Sequence, residues 1–440
     1  MRRAYTDPGV FRDENGKLPQ PLPFTEDISP LKAPLTVGSV TAPNRLVCQP
    51  MEGCDGTADG RPGELTLRRY DRFAKGGAGL IWVEASAVMP EGRANPRQLN
   101  LSEKTLDSFK ALADRIRETA VKANGAAPVL ILQLTHSGRY SKPNGVPEPL
   151  IAYNNPIFEK DAPIDPARIV SDEYLDRVGE ALVTGALLAE KAGYDGADIK
   201  CCHRYLNSEL LSAYNRQGRY GGSFENRTRL LLESVSGARE VCGKDFLITS
   251  RLNVYDGFPY PYGFGVSPEG GTDFDPTEGT RLLEELYARG VKLVNITMGN
   301  PYFNPHVNRP FAAGGYEPPE EPLTGVARML LGTAELKRRV PGLAIITSAA
   351  SYLGSVAPNV LAALIREGGA DLAGFGRQCL AYPDFANDIL QGGMDPQKIC
   401  LCCSKCTEIM RKPGGTPGCV IRDREVYLPI YRTLVMGESK

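Results

Sequence analysis

Long apolar runs and an excess of charge of either sign are both missing from this 440-residue sequence. No stretch reaches the ~18 apolar residues that a membrane-spanning helix needs, and the N-terminus holds no apolar core of a signal peptide. The 51 basic and 52 acidic residues almost cancel, so charge gives no reason to expect nucleic acid or a membrane as a partner. We therefore expect a cytoplasmic protein that acts on a small molecule.

A dinucleotide-binding fingerprint is missing as well. No candidate strand is followed by G-x-G-x-x-G and then by an acidic residue about 20 positions later. This absence disfavours a doubly wound nucleotide-binding sheet, which is the main competitor among folds that alternate strands and helices.

What the sequence does contain is a long alternation of short β-branched or aliphatic runs with amphipathic stretches. We predict strands at 45–49, 79–85, 128–134, 196–200, 246–252, 292–297, 344–348 and 371–376. Helical patterns lie between them at 105–124, 173–193, 226–243, 277–290, 323–340 and 357–369. Eight strands that alternate with helices predict an α/β fold of the (β/α)8 TIM-barrel type.

Three regions follow from this pattern. Residues 1–30 are polar and proline-rich, and we expect an N-terminal extension that wraps the outside of the barrel or approaches a partner. Residues 31–392 would form the barrel, for which a chain with 42% hydrophobic residues can bury a large core. Residues 393–440 hold a cysteine-rich segment and a tail rich in tyrosine and arginine.

Active sites of TIM barrels lie at the C-terminal ends of the strands, and here those ends carry a distinctive set of residues. They read QPMEG, EAS, QLTHSGR, KCCHRYL, Arg251, Ser348 with Ala349, and GFGR, in chain order. Together with RRYDRFAKGGAGLIWVEA, YLNSELLSAYNRQGRYGGSFENRTR and GRQCLAYPDF, this set resembles the Old Yellow Enzyme family of NAD(P)H:flavin oxidoreductases over about residues 31–390. Any one of these pieces alone would be weak, but all occur in the family's order.

The resemblance implies FMN at the barrel mouth, with NAD(P)H as a candidate reductant. Gln133 matches the amide that pairs with the flavin pyrimidine edge, Arg251 the charge beside N1 and O2, and Arg377 the phosphate ligand. The full set of expected cofactor-binding residues is Pro50, Met51, Glu52, Ala85, Gln133, Arg251, Ser348, Ala349, Gly376 and Arg377. Taken singly, such residues are more often turn glycines, surface arginines or core methionines.

Tyr205 matches the family's proton donor, which protonates one carbon of an activated alkene after hydride reaches the other. The family's substrate-holding pair would here be Lys200 and His203. Arg204 stands where relatives have glycine, and we expect it to add positive charge near the mouth. A lysine can bind a carboxylate or carbonyl oxygen, so we expect an anionic or strongly polarised substrate. The alternatives are that Tyr205 merely packs and that Lys200 contacts only FMN or a neighbouring acid.

Two further features surround this expected pocket. Glu52 matches the position at which members of the family commonly place Thr or Cys near the flavin C4 carbonyl, and a carboxylate there would repel reduced flavin unless it is protonated or turned away. The polar segment at 295–311 follows the sixth strand and would wall the substrate pocket, with Tyr302, Asn304 and His306 as candidate contacts.

Eleven cysteines occur in the chain, and Cys400, Cys403, Cys406 and Cys419 form C-x2-C-x2-C-x12-C. Three thiolates on a tight loop and a fourth from a later segment are typical of a [4Fe–4S] cluster. The spacing is similar to that in an iron–sulfur branch of the family, which includes trimethylamine dehydrogenase, 2,4-dienoyl-CoA reductase and 2-enoate reductase. Structural zinc is the alternative, and Cys402 is the spare thiol.

The leading hypothesis is an FMN-dependent reductase of an α,β-unsaturated carboxylate or carbonyl compound, in which the cluster relays electrons to or from FMN. One alternative is an amine dehydrogenase similar to trimethylamine dehydrogenase, which passes electrons outward through the cluster. The other is a non-enzymatic barrel with a structural zinc site. Because no second glycine-rich fold follows Cys419, we expect an electron-transfer protein or an FAD-containing subunit as a partner, and a homo-oligomer.

Overall fold

The computed structural model describes residues 4–312 and 314–438 of the chain. Its first two strands, β1 Leu35–Val37 and β2 Val40–Ala42, form an antiparallel hairpin. The remaining strands are β3 Leu46–Cys48, β4 Leu80–Ala87, β5 Val129–Thr135, β6 Gly196–Ile199, β7 Leu247–Asn253, β8 Leu293–Thr297, β9 Ala344–Ile346 and β10 Ala373–Phe375. Each of these eight overlaps a strand predicted from the sequence.

These eight strands form a parallel barrel. Neighbours in sequence pair along the whole series from β3 to β9, and β10 pairs in parallel with β3. A parallel bridge between Ile346 and Leu372 joins β9 to the residues that enter β10, which closes the circle. The predicted (β/α)8 barrel is therefore confirmed.

Helices pack around the barrel and over its mouth. They are α1 Pro8–Asn15, α2 Glu64–Lys75, α3 Leu106–Asn124, α4 Asp172–Lys191, α5 Leu206–Leu210, α6 Phe224–Val241, α7 Thr277–Ala288, α8 Pro305–Asn308, α9 Pro322–Arg339, α10 Ala357–Arg366, α11 Arg377–Ala381, α12 Phe385–Gln391, α13 Lys405–Met410 and α14 Arg424–Tyr431. The long helices bury one face against the strands, as Leu112 and Ile116 of α3 do. No helix in the described part of the chain is long and apolar enough to cross a membrane.

The hairpin covers the N-terminal end of the barrel. Its side chains Leu35, Val37 and Val40 pack against an apolar cluster that includes Leu80 and Leu247, which stand at the starts of their strands. Because this end is sealed by apolar side chains, a ligand has to enter from the opposite end, where the loops after the strands converge.

The N-terminal extension is more regular than its polar composition suggests. Asp7 caps α1, and its Oδ1 accepts a hydrogen bond of 2.7 Å from the Gly9 amide. Phe11 of this helix is fully buried, and the Tyr5 ring packs edge-on against Tyr352. Among the described residues the extension therefore packs on the barrel through aromatic anchors, which a search for apolar periodicity does not detect.

The C-terminal segment is fastened over the barrel mouth by polar contacts. Asp423 accepts hydrogen bonds of 2.7 and 2.8 Å from the Arg68 guanidinium of α2, and Arg72 also contacts it. Thr416 Oγ1 donates a hydrogen bond of 2.8 Å to the Gly53 carbonyl in the loop after β3. The residues around the cysteines are thereby held against the loops that follow the strands.

Candidate functional site

A large cleft opens at the C-terminal ends of the strands, with a volume of about 1220 Å³ when it is counted out to its open mouth. It is lined by all of the residues expected to bind the flavin or to act in catalysis, namely Pro50, Met51, Glu52, Ala85, Gln133, Lys200, His203, Tyr205, Arg251, Ser348, Ala349, Gly376 and Arg377. Tyr302 lines it too. The structure thus brings together side chains that lie more than 300 residues apart in sequence.

A buried carboxylate that the sequence analysis did not identify orients two of these residues. Asp198 of β6 accepts hydrogen bonds from Gln133 Nε2 at 2.6 Å, from the Arg251 amide at 2.7 Å and from Trp82 Nε1 at 2.8 Å. Burial raises the pKa of Asp198 to about 6, and these hydrogen bonds oppose the rise. The available signal was a charged residue inside an otherwise apolar strand.

A reciprocal amide pair forms the floor of the cleft. Gln49 Nε2 donates to Asn295 Oδ1 at 3.0 Å, and Asn295 Nδ2 donates back to Gln49 Oε1 at 2.6 Å. Gln49 Nε2 also lies 3.3 Å from Ser348 Oγ, which itself donates to the Ile296 carbonyl at 2.7 Å. Side chains from the β3, β8 and β9 ends are therefore locked to one another beneath the site.

Several donors in the cleft have no partner in the protein. Among the described residues, the buried atoms His203 Nε2, Arg251 Nε, Arg309 Nε and Arg377 Nε make no hydrogen bond, and all four side chains line the cleft. Unpartnered arginine Nε atoms also occur elsewhere in the fold, for example at Arg69 and Arg328, so the signal here is that four unpartnered atoms converge on one cleft, where a ligand rich in acceptors would meet them. The isoalloxazine edge and phosphate of FMN offer such acceptors, and the residues present fit that cofactor.

The expected proton donor belongs to a group of three tyrosines. The Tyr205 hydroxyl lies 2.9 Å from the Tyr302 hydroxyl, and the Tyr302 ring stacks on Tyr140 with ring centres 3.9 Å apart. Burial and the neighbouring Tyr302 raise the pKa of Tyr205 well above its ordinary value. Tyr205 therefore holds its proton at neutral pH, as a phenolic acid must before it donates.

The loop before Tyr205 takes an unusual backbone path. His203 has a φ of 64° and Arg204 a φ of 60°, so two consecutive non-glycine residues lie in the left-handed region. The chain turns sharply here, and this turn presents Lys200, His203 and Tyr205 to the same cleft.

Arg204 itself points away from the cleft, which corrects the expectation that it adds positive charge near the mouth. Its guanidinium is fully buried and pairs with Asp256 at 3.0 Å, while Ser212 Oγ at 2.5 Å and the Tyr153 hydroxyl at 2.9 Å accept further hydrogen bonds. The charge is neutralised inside the protein, where it anchors the strained loop.

Glu52 lies beside Lys200 and Tyr205 in the cleft. Its Oε1 accepts a hydrogen bond of 2.9 Å from Asn95 Nδ2. Burial raises the pKa of Glu52 to about 7, and the nearby Lys200 ammonium opposes that rise. The carboxyl group is therefore partly protonated at neutral pH, which reduces its repulsion of an anion in the cleft.

Two candidate substrate contacts lie outside this lining. Asn304 is buried, where its side chain donates to the Asp256 carbonyl at 2.8 Å and accepts from the Asn300 amide at 2.7 Å. The His306 ring hydrogen-bonds to the Tyr316 hydroxyl at 2.5 Å. Both residues shape the loop after β8, and Tyr302 is the member of the predicted trio that reaches the cleft.

The cysteine segment encloses a second cavity of about 400 Å³, lined by Cys400, Cys402, Cys403, Cys406 and Cys419. The Cys402 amide lies 3.4 Å from Cys400 Sγ and the Arg422 amide 3.3 Å from Cys419 Sγ, so backbone donors face the sulfurs. Within the described residues, no group of three or more His, Cys, Asp or Glu side chains gathers as ligands of a metal ion.

The four cysteines of the C-x2-C-x2-C-x12-C motif nevertheless suit a [4Fe–4S] cluster by donor chemistry. In a [4Fe–4S] site each cysteine thiolate binds a different iron, so the four thiolates of such a site are farther apart than four ligands of a single metal ion. Hydrogen bonds from backbone amides to the sulfurs are among the means by which proteins tune such clusters.

The two cavities share a wall. Arg377, Leu380, Cys402 and Cys406 line both the cleft and the cysteine cavity. A cofactor in the cleft and a cluster in the cysteine cavity would therefore be separated by little more than these side chains.

Comparison with known proteins gives matches along most of the chain. The family model described as the NADH:flavin oxidoreductase / NADH oxidase family matches residues 30–262. A NADPH dehydrogenase of Geobacillus sp. is 32% identical over 61% of this chain and 73% of its own length. A NADH oxidase of Thermoanaerobacter brockii is 27% identical over 84% of this chain, but this chain spans only 52% of it.

Among solved structures, a 2-naphthoyl-CoA reductase in complex with 2-naphthoyl-CoA has the same fold. The TM-score is 0.68 at 21% identity, with 87% of this chain and 54% of that chain covered.

Proposed function

The chain belongs to the NADH:flavin oxidoreductase / NADH oxidase family, and from this premise we propose that it reduces the activated C=C bond of an α,β-unsaturated carboxylate or carbonyl compound. FMN bound in the cleft would supply the hydride from its N5 atom, after reduction by NAD(P)H or by a protein donor. The observation that carries the proposal is the convergence of unpartnered buried donors, Lys200 and the Tyr205 phenol in one cleft.

The charge of the cleft favours an anionic substrate. Lys200, Arg251, Arg309 and Arg377 line it, whereas Glu52 is the only carboxylate among its described lining residues. Arg251 and Arg377 are assigned to FMN in this proposal, which leaves Lys200 as the cation for a substrate, and the pKa of Glu52, raised to about 7, reduces the opposing negative charge beside it. A substrate carboxylate or a developing enolate would be stabilised here.

Each residue of the loop after β6 has a proposed role in this reaction. Lys200 would bind the oxygen that activates the alkene, with His203 Nε2 as a second donor, since this atom has no partner among the described residues. Burial and the adjacent arginines lower the pKa of His203 well below its ordinary value. His203 would therefore be neutral, and Tyr205 would supply the proton.

On the cofactor side, Gln133 and Arg251 would hold the pyrimidine edge of FMN, with Asp198 orienting the Gln133 side chain and fixing the Arg251 backbone. Arg377 would bind the phosphate, and Pro50, Met51, Ala85, Ser348, Ala349 and Gly376 would contact the ring system or ribityl chain. The four motif cysteines would hold a [4Fe–4S] cluster behind the shared wall, as an electron relay between FMN and a partner protein.

An amine dehydrogenase that passes electrons outward is the second candidate function. The shared wall between the cavities is compatible with both functions, because that geometry suits electron transfer in either direction. Tyr140, Tyr205 and Tyr302 also form an aromatic group of the kind that binds ammonium ions. However, the Lys200 ammonium already occupies the Tyr205 face, and its charge would repel a cationic amine. The non-enzymatic alternative loses support, since the family is one of oxidoreductases.

The test is an anaerobic titration of the purified holoprotein followed by visible absorbance. We expect NADH or NADPH to bleach the flavin band and an α,β-unsaturated acid to restore it. Bleaching by amines but not by nicotinamides would favour the dehydrogenase instead. Protein that carries no flavin after expression and reconstitution with FMN would contradict both functions. Iron and acid-labile sulfide analysis tests the cluster separately.

A further inference from the structure

A second arginine lines the cleft next to the wall that the cleft shares with the cysteine cavity. Arg309 lies after β8 and lines the cleft together with Cys402 and Cys406. Its Nη1 donates a hydrogen bond of 2.7 Å to Ser404 Oγ. Ser404 stands between Cys403 and Cys406 and is buried, with a left-handed φ of 62°. The guanidinium of Arg309 therefore touches the loop that carries three of the four motif cysteines.

This cation has no counter-charge in the described part of the chain. No carboxylate forms an ion pair with Arg309, and its buried Nε makes no hydrogen bond. The ionisable groups that act on it are two other cations, Arg377 and Arg411, and the thiols Cys402 and Cys406. A cation held beside other cations and without an anion is unfavourable, so the site calls for a bound negative charge.

We infer that Arg309 is the counter-charge of the cysteine-bound cluster and raises its reduction potential, which rests on the proposed iron–sulfur function. A [4Fe–4S] cluster with four thiolate ligands is an anion, and each one-electron reduction adds one negative charge. A nearby cation stabilises the reduced form more than the oxidised form. Because Arg309 is half-buried, its effect is stronger than that of a fully exposed arginine.

The anchor on Ser404 distinguishes this role from that of Arg377. Arg377 follows β10, where the family resemblance places the flavin phosphate ligand, and its own contact with the loop is the longer 3.5 Å bond from Nη2 to Thr407 Oγ1. Arg309 is instead tied directly to the cysteine loop. Its charge would thus stabilise an electron on the cluster, whether reduced flavin or a partner protein is the donor of that electron.

The experiment compares wild type, R309Q, R309K and R411Q as anaerobically purified holoproteins. Iron and acid-labile sulfide are measured first, and a potentiometric titration monitored by electron paramagnetic resonance then gives the cluster potential. We expect R309Q to lower the reduction potential of the cluster by about 59 mV, which corresponds to a tenfold change in the equilibrium constant of a one-electron couple. R309K retains the positive charge and should lower the cluster potential less than R309Q does. Arg411 is exposed, and R411Q should leave the potential unchanged because water screens its charge.

The outcomes separate the inference from the proposed function. Equal cluster potentials in wild type and R309Q would overturn the role of Arg309 while leaving the cluster in place. A weaker FMN affinity in R309Q, with no change in the cluster potential, would assign Arg309 to the flavin phosphate. That result would also overturn its role as the counter-charge of the cluster. Wild-type protein without iron and sulfide would refute the cluster itself. If R309Q fails to fold, S404A keeps the charge but removes its anchor, and we expect a smaller shift in the same direction.

Discussion

The ammonium group of Lys200 lies over the ring of Tyr205, with Nζ 3.7 Å from the ring centroid. This contact places a positive charge against the phenol that would donate a proton in the proposed reaction. A phenol that loses its proton becomes an anion, which the adjacent ammonium stabilises. In the proposed reaction the charge of Lys200 and the proton of Tyr205 are therefore coupled, although the family pattern assigns Lys200 to substrate binding and Tyr205 to proton donation.

Removal of the phenol should affect only one half of the catalytic cycle. We expect Y205F to slow reoxidation of the reduced flavin by an unsaturated acid about 10²–10⁴-fold, because the proton donor is lost. Reduction of the flavin by NAD(P)H should keep its wild-type rate. Stopped-flow absorbance of each half-reaction measures both rates. Y302F, which removes only the hydrogen-bond partner, is the matched control and should have a smaller effect. Equal slowing of both halves would show that Tyr205 positions the flavin instead.

Loss of the Lys200 charge should discriminate between substrates. We expect K200M to raise the KM for a carboxylate substrate about tenfold or more, because a hydrogen bond to a charged group is lost. An unsaturated ketone of similar size should be less affected, and the FMN content should remain that of wild type. Steady-state kinetics with the matched pair of substrates measures this. Unchanged kinetics for the acid would refute the proposed carboxylate contact.

The titration of Glu52 gives stability a predictable pH dependence. Its folded-state pKa is raised from 4.5 to about 7, so the folded protein holds a proton that the unfolded chain releases in this window. The stabilising contribution is complete below about pH 4.5 and is lost as the pH rises through 7.

E52Q cannot ionise, so its stability relative to wild type should increase between pH 4.5 and 7 and stay constant above. Urea unfolding at several pH values measures the difference. E118Q removes an exposed carboxylate of α3 and should track wild type at every pH. A pH-independent difference between E52Q and wild type would contradict the shifted titration.

The buried ion pair behind the site should be costly to break. We expect R204G to lower the free energy of unfolding by about 3–5 kcal/mol, because Asp256 is left buried without its partner. R281A breaks the exposed pair with Glu225 and should have little effect. Urea unfolding checks both variants. The double variant R204G/D256N removes both charges and should recover part of the loss, and no recovery would argue against the ion pair as the cause.

Much of the barrel was predictable because its strands are nearly continuous apolar runs. β4 and β5 are buried along their whole length, and their bounds fall within two residues of the predicted runs. The short β9 ends at Ile346, earlier than predicted, because the chain there turns toward Ala349, which adopts a left-handed φ of 69°. The helix α1 was missed, although Asp7 followed by Pro8 is a recognised start signal.

Most of the predicted residues at the strand ends line the cleft, but their orientations were not predictable. Arg204 looks like a charge at the mouth, yet its guanidinium turns inward to Asp256, a residue more than 50 positions away. Asp198 was likewise invisible as an organiser of Gln133 and Arg251, since its partners come from other strands. Side-chain direction depends on tertiary partners that local pattern does not contain.

The cysteine segment also forms part of the cleft wall, through Cys402, Cys406, Thr407, Met410 and Pro417. In the proposed function, the segment is therefore not a separate electron-transfer unit attached to a barrel that is complete without it. A relative that acquired, lost or remodelled this segment would have changed the shape of its substrate pocket in the same event. If the segment holds the proposed cluster, the electron path and the shape of the cleft depend on the same residues, and grafting the segment onto another barrel would alter both.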